Sequence, residues 1–582
     1  MSSKKIALTA LVALLLTAGF RYAKENKTTP IPLAVAKSEY FKNIKIMQCS
    51  PDWSLVNADS LAMGIGVLPG WGDYRWHIST KNDSAQFYFN QGINMYYAFH
   101  IIESMASFKK AQKFDSTNAM IYWGQALAYG PNINDFAYAY TPDAFAAAQK
   151  AVSLKNKCTA KEKALIDAMA VRYTDDSTVS RESLNQKYTD EMAKVYGTLK
   201  QDADAGALYA DAMMLQHPWD YWKHNGDAEP WTPKIISVIE KVLATHPIHP
   251  GANHYYIHTV EASPNPGRAI PSADRLGKLM PSVSHMIHMP SHIYIRTGNY
   301  KEGIKVNEMS VTGYNSFLNL YPDVQNNAPL YLFHNLHMLS ACAMMKANYA
   351  FSKKKADECI HSFDTSFMSL PLPLGNYVQY IYMTSAFNDI RFGKWDEILN
   401  EQAPQSNHIY ATVLSHWARG MAFAGKTNIA SAREELKLMQ DKMKDSAMQV
   451  VMSPFNSPFA AAKVAEKILE GVIAEKENDQ VKAIQNFTEA SVNEDALIYT
   501  EPRDWLLPAR EYLGNALLKA GNFVSAEKAF REDLRENPNN HWSLYGLYQS
   551  LTKQKKSGAA TVKKQFDKAF EGNDIAEGHI VF

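Results

Sequence analysis

Cysteine is scarce in this chain: Cys49, Cys158, Cys342 and Cys359 are the only four in 582 residues, and no two form a C-x-x-C. That excludes a disulfide-built scaffold, a zinc knuckle, a thioredoxin-like redox motif and haem attachment. Glycine (28) is too sparse for a collagen-like chain. Neither sign of charge prevails, with Lys+Arg 60 against Asp+Glu 59 and a formal +1. A body this close to neutral casts no long-range field for phosphates, so nucleic acid is a poor partner. Phosphate-cradling G-x-x-x-x-G-K-[ST] and dinucleotide G-x-G-x-x-G motifs are missing, as are the G-x-S-x-G elbow and the EF-hand loop, so no nucleotide cofactor is expected. What is present is apolar: 46% hydrophobic and 12% aromatic residues exclude disorder as the main class. The length corresponds to roughly four domain equivalents at about 150 residues each, enough to bury a large core without staples.

The first segment reads as an address. Lys4 and Lys5 precede an apolar run from Ile6 to Phe20, shorter than the roughly 20 residues a spanning helix needs. A basic start followed by a short apolar run is the pattern of a secretory signal. Residues 1–23 are therefore expected to be a signal peptide or an uncleaved N-terminal anchor, since the small-residue cleavage patterns at Leu16-Thr17-Ala18 and Arg21-Tyr22-Ala23 are imperfect. The expectation is an exported protein, periplasmic or extracellular, that meets a membrane only through that N-terminus, if at all. Export permits disulfides; Cys342 and Cys359 are positioned to meet across neighbouring helices, or else are buried thiols.

A small-residue register repeats along the body. Gly514 is followed by Ala526 and Phe530, Gly471 by Ala483 and Phe487, Gly420 by Ala432 and Leu436, and Gly92 by Ser104 and Phe108. Ser291 is followed at the same spacing by Gly303. Small residues twelve apart let two antiparallel helices cross closely, and the Phe four residues on fills the gap to the next hairpin. With Pro538 closing the 510–543 stretch, this resembles the tetratricopeptide-repeat (TPR) family. The usual first-helix Trp is replaced by Arg510 and Lys467, and Asp495 stands where a closing Pro is usual. The chain also resembles long exported bacterial TPR-containing proteins without an evident biochemical role. The resemblance implies an all-α, TPR-like α-solenoid of antiparallel helix hairpins whose concave face takes a protein or peptide partner; it implies no chemistry. The expected divisions are an irregular arm over 24–80, TPR-like hairpins over 81–200, His-rich central hairpins over 201–345, and a C-terminal solenoid over 346–582. Gly471 and Gly514 are further apart than one repeat, and the surplus holds Glu501-Pro502-Arg503-Asp504-Trp505, an inserted rim loop.

The histidines are unevenly placed: nine of 18 fall between His246 and His337. His254 and His258 are i, i+4 with Glu261 on the same face. His285, His288 and His292 are i, i+3, i+7, and His334 and His337 are i, i+3, all spacings that make helical neighbours. Converging imidazoles from adjacent helices are how helical proteins build metal sites. The expected ligands are His254, His258, His288 and His292, with His285, His334 and His337 behind them. Glu261 would act as ligand or general base, and the ion would be Zn or Cu. Tyr255 follows His254, so the zincin H-E-x-x-H is not met; Met286 and Met289 beside the triplet would suit copper. Two functions follow: a peptide-binding scaffold with a His-rich metal site, or a metal-dependent enzyme of hydrolytic or oxidative type. The competing reading of the histidines is a hydrogen-bonded polar layer. His100 with Glu103 reads as structural pairing, and Trp219, Trp222 and Trp231 as core or the wall of an aromatic pocket.

Overall fold

The computed structural model describes Trp53 and residues 56–582, apart from 136, 137, 139, 321–327, 452–454, 571–573 and 575–578. The expected signal or anchor over 1–23, the first part of the arm and Cys49 lie outside the described residues. The described residues contain no β-strand; helices from Asp83–Tyr97 to Ala559–Phe570 follow one another in antiparallel pairs. The architecture is an all-α, TPR-like solenoid.

The crossing register is seen in space. A Cβ on Gly92 would come within 2.6 Å of the Phe108 ring, and so would one on Gly124 in the next hairpin. Phe530 is held in the same way, 2.4 Å from a Cβ on Gly514 and 2.3 Å from one on Gly546. Ala432, Ala483 and Ala526, the small partners twelve residues on, are fully buried. Gly420 departs from the scheme, because its close neighbour is Leu469 of the following hairpin, not Leu436. The Phe530 ring has no room to yield between two glycines. Gly514→Ala should therefore cost about 1–3 kcal/mol by overpacking; an unchanged melting temperature would refute this account of the crossing.

The hairpins turn by one device. The first helix ends on a left-handed residue: Ala347, Gly393, Thr427, Asn478, Gly521 and Lys555 all have positive φ. The paired 5→2 and 6→1 bonds of a Schellman end close each turn, for example Asn478 N to Glu475 O and Asp479 N to Ala474 O. The next residue is often an Asn or Asp that caps the second helix: Asn348, Asn428 and Asp479 accept from Phe351, Ser431 and Lys482 N–H.

The expected irregular arm needs correction, since it contains the helix Ala58–Gly64. The rest of its described length lies along Asp83–Tyr97, whose buried polar side chains serve its backbone. Gln91 accepts from Leu68 N–H at 2.9 Å, Asn90 accepts from Trp76 N–H at 3.0 Å, and Asn94 donates to Tyr74 O at 3.0 Å. Cys342 and Cys359 are buried free thiols, and the Cys359 thiol donates to Phe333 O. The possible disulfide between them is not formed.

The C-terminal hairpins return to the central ones. Trp542 Nε1 donates to Met344 O at 3.0 Å, and Arg296 donates to Glu261 O and Glu536 O, both at 3.2 Å. Arg391 and Glu511 form a buried ion pair. This return carries the 497–508 loop against the His-rich hairpins.

Candidate metal centre

His254 and His258 share the inward face of Pro250–Val260, a helix with every residue buried. Pro250 starts it with a preset φ and no N–H to satisfy, and His249 Nδ1 accepts from Ala252 N–H as its cap. His285 and His288 lie on Ser284–His288, His292 on Pro290–Arg296. Pro290 interrupts the hydrogen bonding there, but Met289 keeps helical angles (φ −49°, ψ −37°), so the i, i+3, i+7 face continues across the break. His334 comes from Ala328–Met345.

These helices bring six imidazoles into two adjacent triads. The ring nitrogens of His254, His258 and His285 all lie within 4.8 Å of one another, and so do those of His288, His292 and His334. The triads adjoin, with His258 and His292 rings 6.0 Å apart and His285 and His288 rings 6.2 Å apart. These buried groups can hold metal ions.

The Nδ1 partners decide which nitrogen faces inward. His254 Nδ1 lies 2.7 Å from Tyr97 O; a carbonyl only accepts, so Nδ1 carries the proton and Nε2 the lone pair. His288 Nδ1 lies 2.6 Å from Asn307 Oδ1, and Asn307 uses its amide nitrogen on Gly303 O, so His288 has the same tautomer. Glu261 meets both remaining rings, through Oε1 to His258 Nδ1 at 3.1 Å and Oε2 to His292 Nδ1 at 2.7 Å. An ionised Glu261 accepts from both. The Nε2 atoms then face one another, 3.1 Å apart for His254 and His258 and 2.8 Å apart for His288 and His292. A protonated Glu261 has one hydrogen to give and can relieve only one of these pairs. With neutral rings, at least one of these two pairs is left without a hydrogen between its nitrogens, and His254 Nε2 has a further ring nitrogen, His285 Nε2, 3.1 Å away. Fixing Nδ1 from behind so that Nε2 is offered forward is the usual outer support of a metal-binding His.

Burial holds all these rings neutral. It depresses His258 to about 3 and His288 to about 4, with the Asn307 bond opposing the shift in His288. His254, His285, His292 and His334 fall well below 6.5, through burial first and neighbouring imidazoles second. Ligands of this kind release no proton when a metal binds at neutral pH. Glu261 is raised by burial against a hydrogen bond from Glu501 and the nearby Arg296 charge.

Of the residues expected from sequence, His254, His258, His285, His288, His292 and His334 enter the triads. His337 enters neither: its Nδ1 lies 2.8 Å from Thr384 Oγ1 and its ring lines the adjoining cavity. Glu261 stands on the Nδ1 side of the rings, and there it forms a third group with His258 and His292 whose ligand atoms lie within 4.8 Å of one another, so its expected role as a ligand stays open. Met286 and Met289 are fully buried in the apolar core. His100 pairs with Glu103 at 3.1 Å as expected. Asn307, the Tyr97 carbonyl, Glu501 and Phe99 escaped sequence reasoning. Phe99 occupies the left-handed turn position (φ 57°) where other hairpins have Gly, Ala, Asn, Thr or Lys, at a cost of about 1–2 kcal/mol. Its ring thereby packs 4.5 Å from His254 and 6.0 Å from His285.

Glu261→Gln tests the outer support. A Gln amide accepts at one atom only, so one of His258 and His292 loses its orienting bond. Metal affinity should fall about 10–100-fold, read by competition with a chelator; an unchanged affinity would mean that the carboxylate does not orient the rings.

A cavity of about 210 Å³ opens on His258, His285, His292 and His334. Trp219, Tyr377, Tyr380, Tyr410 and Phe455 form much of its wall, and Glu501 and Asp504 of the rim loop close one side. Trp219 thus lines a pocket, one of the two readings open for it, whereas Trp222 is tied to Thr259 O and Trp231 stacks on His217.

No protein-family model matches the chain, and no curated protein matches it. Among solved structures, human IFIT1 with m7Gppp-AAAA is similar over 84% of this chain and 90% of its own, at 12% identity and TM-score 0.31. Yeast Tom70 is similar over 84% and 92%, at 11% identity and TM-score 0.25. The Cut9–Hcn1 hetero-tetramer is similar over 84% and 76%, at 12% and 0.27. These are TPR-repeat proteins, but likenesses this distant carry nothing about ligand or activity. The class this chain defines is a TPR-like solenoid with buried imidazole triads at its centre.

Proposed function

We propose that the two triads hold one copper ion each and that the chain is an oxidising enzyme. The observation that carries this reading is the convergence of three buried ring nitrogens in each triad, within 4.8 Å of one another, with Nε2 atoms facing at 3.1 and 2.8 Å. Imidazole suits copper and zinc alike, and copper binds such sites more tightly. Hydrolytic centres that hold two ions lean on carboxylates, which neutralise ionic charge and bridge the metals. Among the described residues, Glu261 is the one carboxylate bonded to triad rings, and it is engaged on two Nδ1 atoms. Neutral ligands alone suit an ion that changes oxidation state. Held by His254, His258 and His285 on one side and His288, His292 and His334 on the other, a pair of copper ions would supply two-electron exchange between a substrate and dioxygen. In balance, two substrate molecules each lose two electrons and two protons while one dioxygen becomes two waters. The Lys4–Lys5 start and the Ile6–Phe20 run support placing the protein outside the cytoplasm.

The TPR resemblance favours a peptide partner on the concave face. The cavity ranks the enzyme above that scaffold: the space at the triads is of small-molecule size, and a scaffold has no use for neutral imidazoles at its centre. Elemental analysis of untagged full-length protein should return about two copper per chain. Copper at about 100 times its dissociation constant should stabilise the fold by about 2.7 kcal/mol. Zinc in place of copper would move the reading to hydrolysis, and absence of any metal with no thermal shift would end it.

A further inference from the structure

The wall of the cavity carries several buried acceptors without a partner. His337 is 1% exposed, and its Nε2 has no partner. The Thr384 hydroxyl donates to Ile381 O at 2.6 Å, so toward His337 it can only accept. His337 Nδ1 therefore carries the proton, and the unpartnered Nε2 is a lone pair. Asn376 is 4% exposed; its amide nitrogen donates to Ala447 O at 2.8 Å, which leaves its unpartnered Oδ1 as a second buried acceptor. Glu501 Oε1 is a third. Asp504 accepts from Asn456 Nδ2 at 2.7 Å, and Asn456 is itself fixed to the loop by bonds with Ile498 N and O at 2.7 and 2.8 Å. Among the described residues, no lysine or arginine lines the cavity. Buried acceptors without donors are costly unless a ligand supplies the hydrogens.

We propose that the cavity takes a small arylalkylamine, with its ring against the aromatic wall, its ammonium at Asp504 and Glu501, and its hydrogen donors toward His337 Nε2 and Asn376 Oδ1. The volume agrees: an apolar cavity of about 150 Å³ takes benzene, so about 210 Å³ holds one ring and a short chain. Tyr and Trp faces attract both rings and ammonium groups. Burial raises the Asp504 carboxyl to about 6, so it is charged at neutral pH, and an adjacent ammonium favours that charge further. An anionic aromatic acid meets the opposite conditions: the Asp504 carboxylate, the unpartnered Glu501 Oε1 and no lysine or arginine among the lining residues. The inference rests on the proposed enzyme in one respect, that the imidazole wall makes this occupant a substrate; the binding itself needs no metal.

Calorimetry at pH 7.5 with 2-phenylethylamine, 2-phenylethanol and 3-phenylpropanoate tests it, on the full chain as purified and again after chelation. The amine should bind in both preparations. In the chelated protein it should bind at least tenfold more tightly than the carboxylate, with the alcohol between. Asp504→Asn should weaken the amine at least tenfold and leave the alcohol within about threefold. Equal or tighter binding of the carboxylate by chelated protein, no binding by any of the three, or an unchanged amine affinity in Asp504→Asn would overturn the proposal. The wild-type order decides the matter even if that variant fails to fold. Metal content measured before chelation reports separately on the copper reading, so either can fail alone.

Discussion

Copper content should fall from two ions to one per chain in the His254→Ala, His285→Ala double variant, and again to one in His288→Ala, His292→Ala. Each pair removes two of the three nitrogens of one triad, and a single remaining imidazole cannot hold an ion against buffer. The other triad keeps its three rings and its supports. His288 retains Asn307 in the first variant, and His254 retains the Tyr97 carbonyl in the second. Both variants should lose substrate oxidation entirely, because passing two electrons at once requires both ions. Elemental analysis and a dioxygen-uptake assay read the two effects. Loss of all metal from either variant would mean one shared site in place of two. Retention of two ions would mean that the ligands lie elsewhere. The adjoining faces of the triads, with rings 6.0 and 6.2 Å apart, make some weakening of the second ion the natural side effect.

The metal-free protein should be acid-labile in a window set by the buried imidazoles. An exposed His in the unfolded chain titrates near 6.5. In the folded chain burial holds His258 and His337 at about 3 and His288 at about 4, with the other triad rings well below 6.5. Between those limits the unfolded state binds protons that the folded state refuses, so stability rises with pH. Above about 6.5 these groups contribute no slope, and below it each contributes up to about 1.4 kcal/mol per pH unit. Several acting together should pull the melting temperature down from pH 6.5 to pH 5, against buried carboxyls that contribute the opposite slope over the same window, Asp211 and Asp504 at about 6, Glu511 at about 7 and Glu494 at about 8. Copper-loaded protein should melt higher by a margin that stays constant between pH 6.5 and pH 5, because the folded rings bind no protons there with or without the ion and the unfolded chain takes them in both cases. Thermal melts at half-unit pH steps, with and without copper, check both statements. A metal-free melting temperature that rises from pH 6.5 to pH 5, or a copper margin that shrinks over that range, would overturn this account.

Much of this was legible in advance. The Gly-x11-small register around Gly92, Gly471 and Gly514 identified the hairpin crossings because close approach of two helices admits few residue types, and the Phe wedges followed from it. Gly420 misled in part, because an alternating solenoid offers two neighbours and only packing selects Leu469. Six of the seven expected imidazole ligands fall into the triads, since i, i+3, i+4 and i+7 spacing puts side chains on one helical face. His337 shares a face with His334 but belongs to the cavity, because a helix face is broad enough to serve two neighbouring spaces. The turn residues Asn348, Asn428 and Asp479 were a further readable signal, each preceded by a left-handed position. The role of Glu261 was not readable: its spacing placed it near His258, but only the approach of Pro290–Arg296 brought His292 to its other oxygen.

The amino-acid pattern by itself determined that the chain is helical, that it repeats, and that imidazoles concentrate in its central third. Each of these depends on residues a few positions apart, where backbone geometry alone dictates who meets whom. Tertiary structure decided that the rings fall into two triads, that their protons point outward, and that the Glu501–Asp504 loop closes an acceptor-lined cavity beside them. Those outcomes join positions as distant as Tyr97, His254 and Asp504: packing among the central helices and against Asp83–Tyr97 sets the triads, and the return of the C-terminal hairpins through Trp542 and Arg296 brings up the loop, contacts that no local spacing encodes.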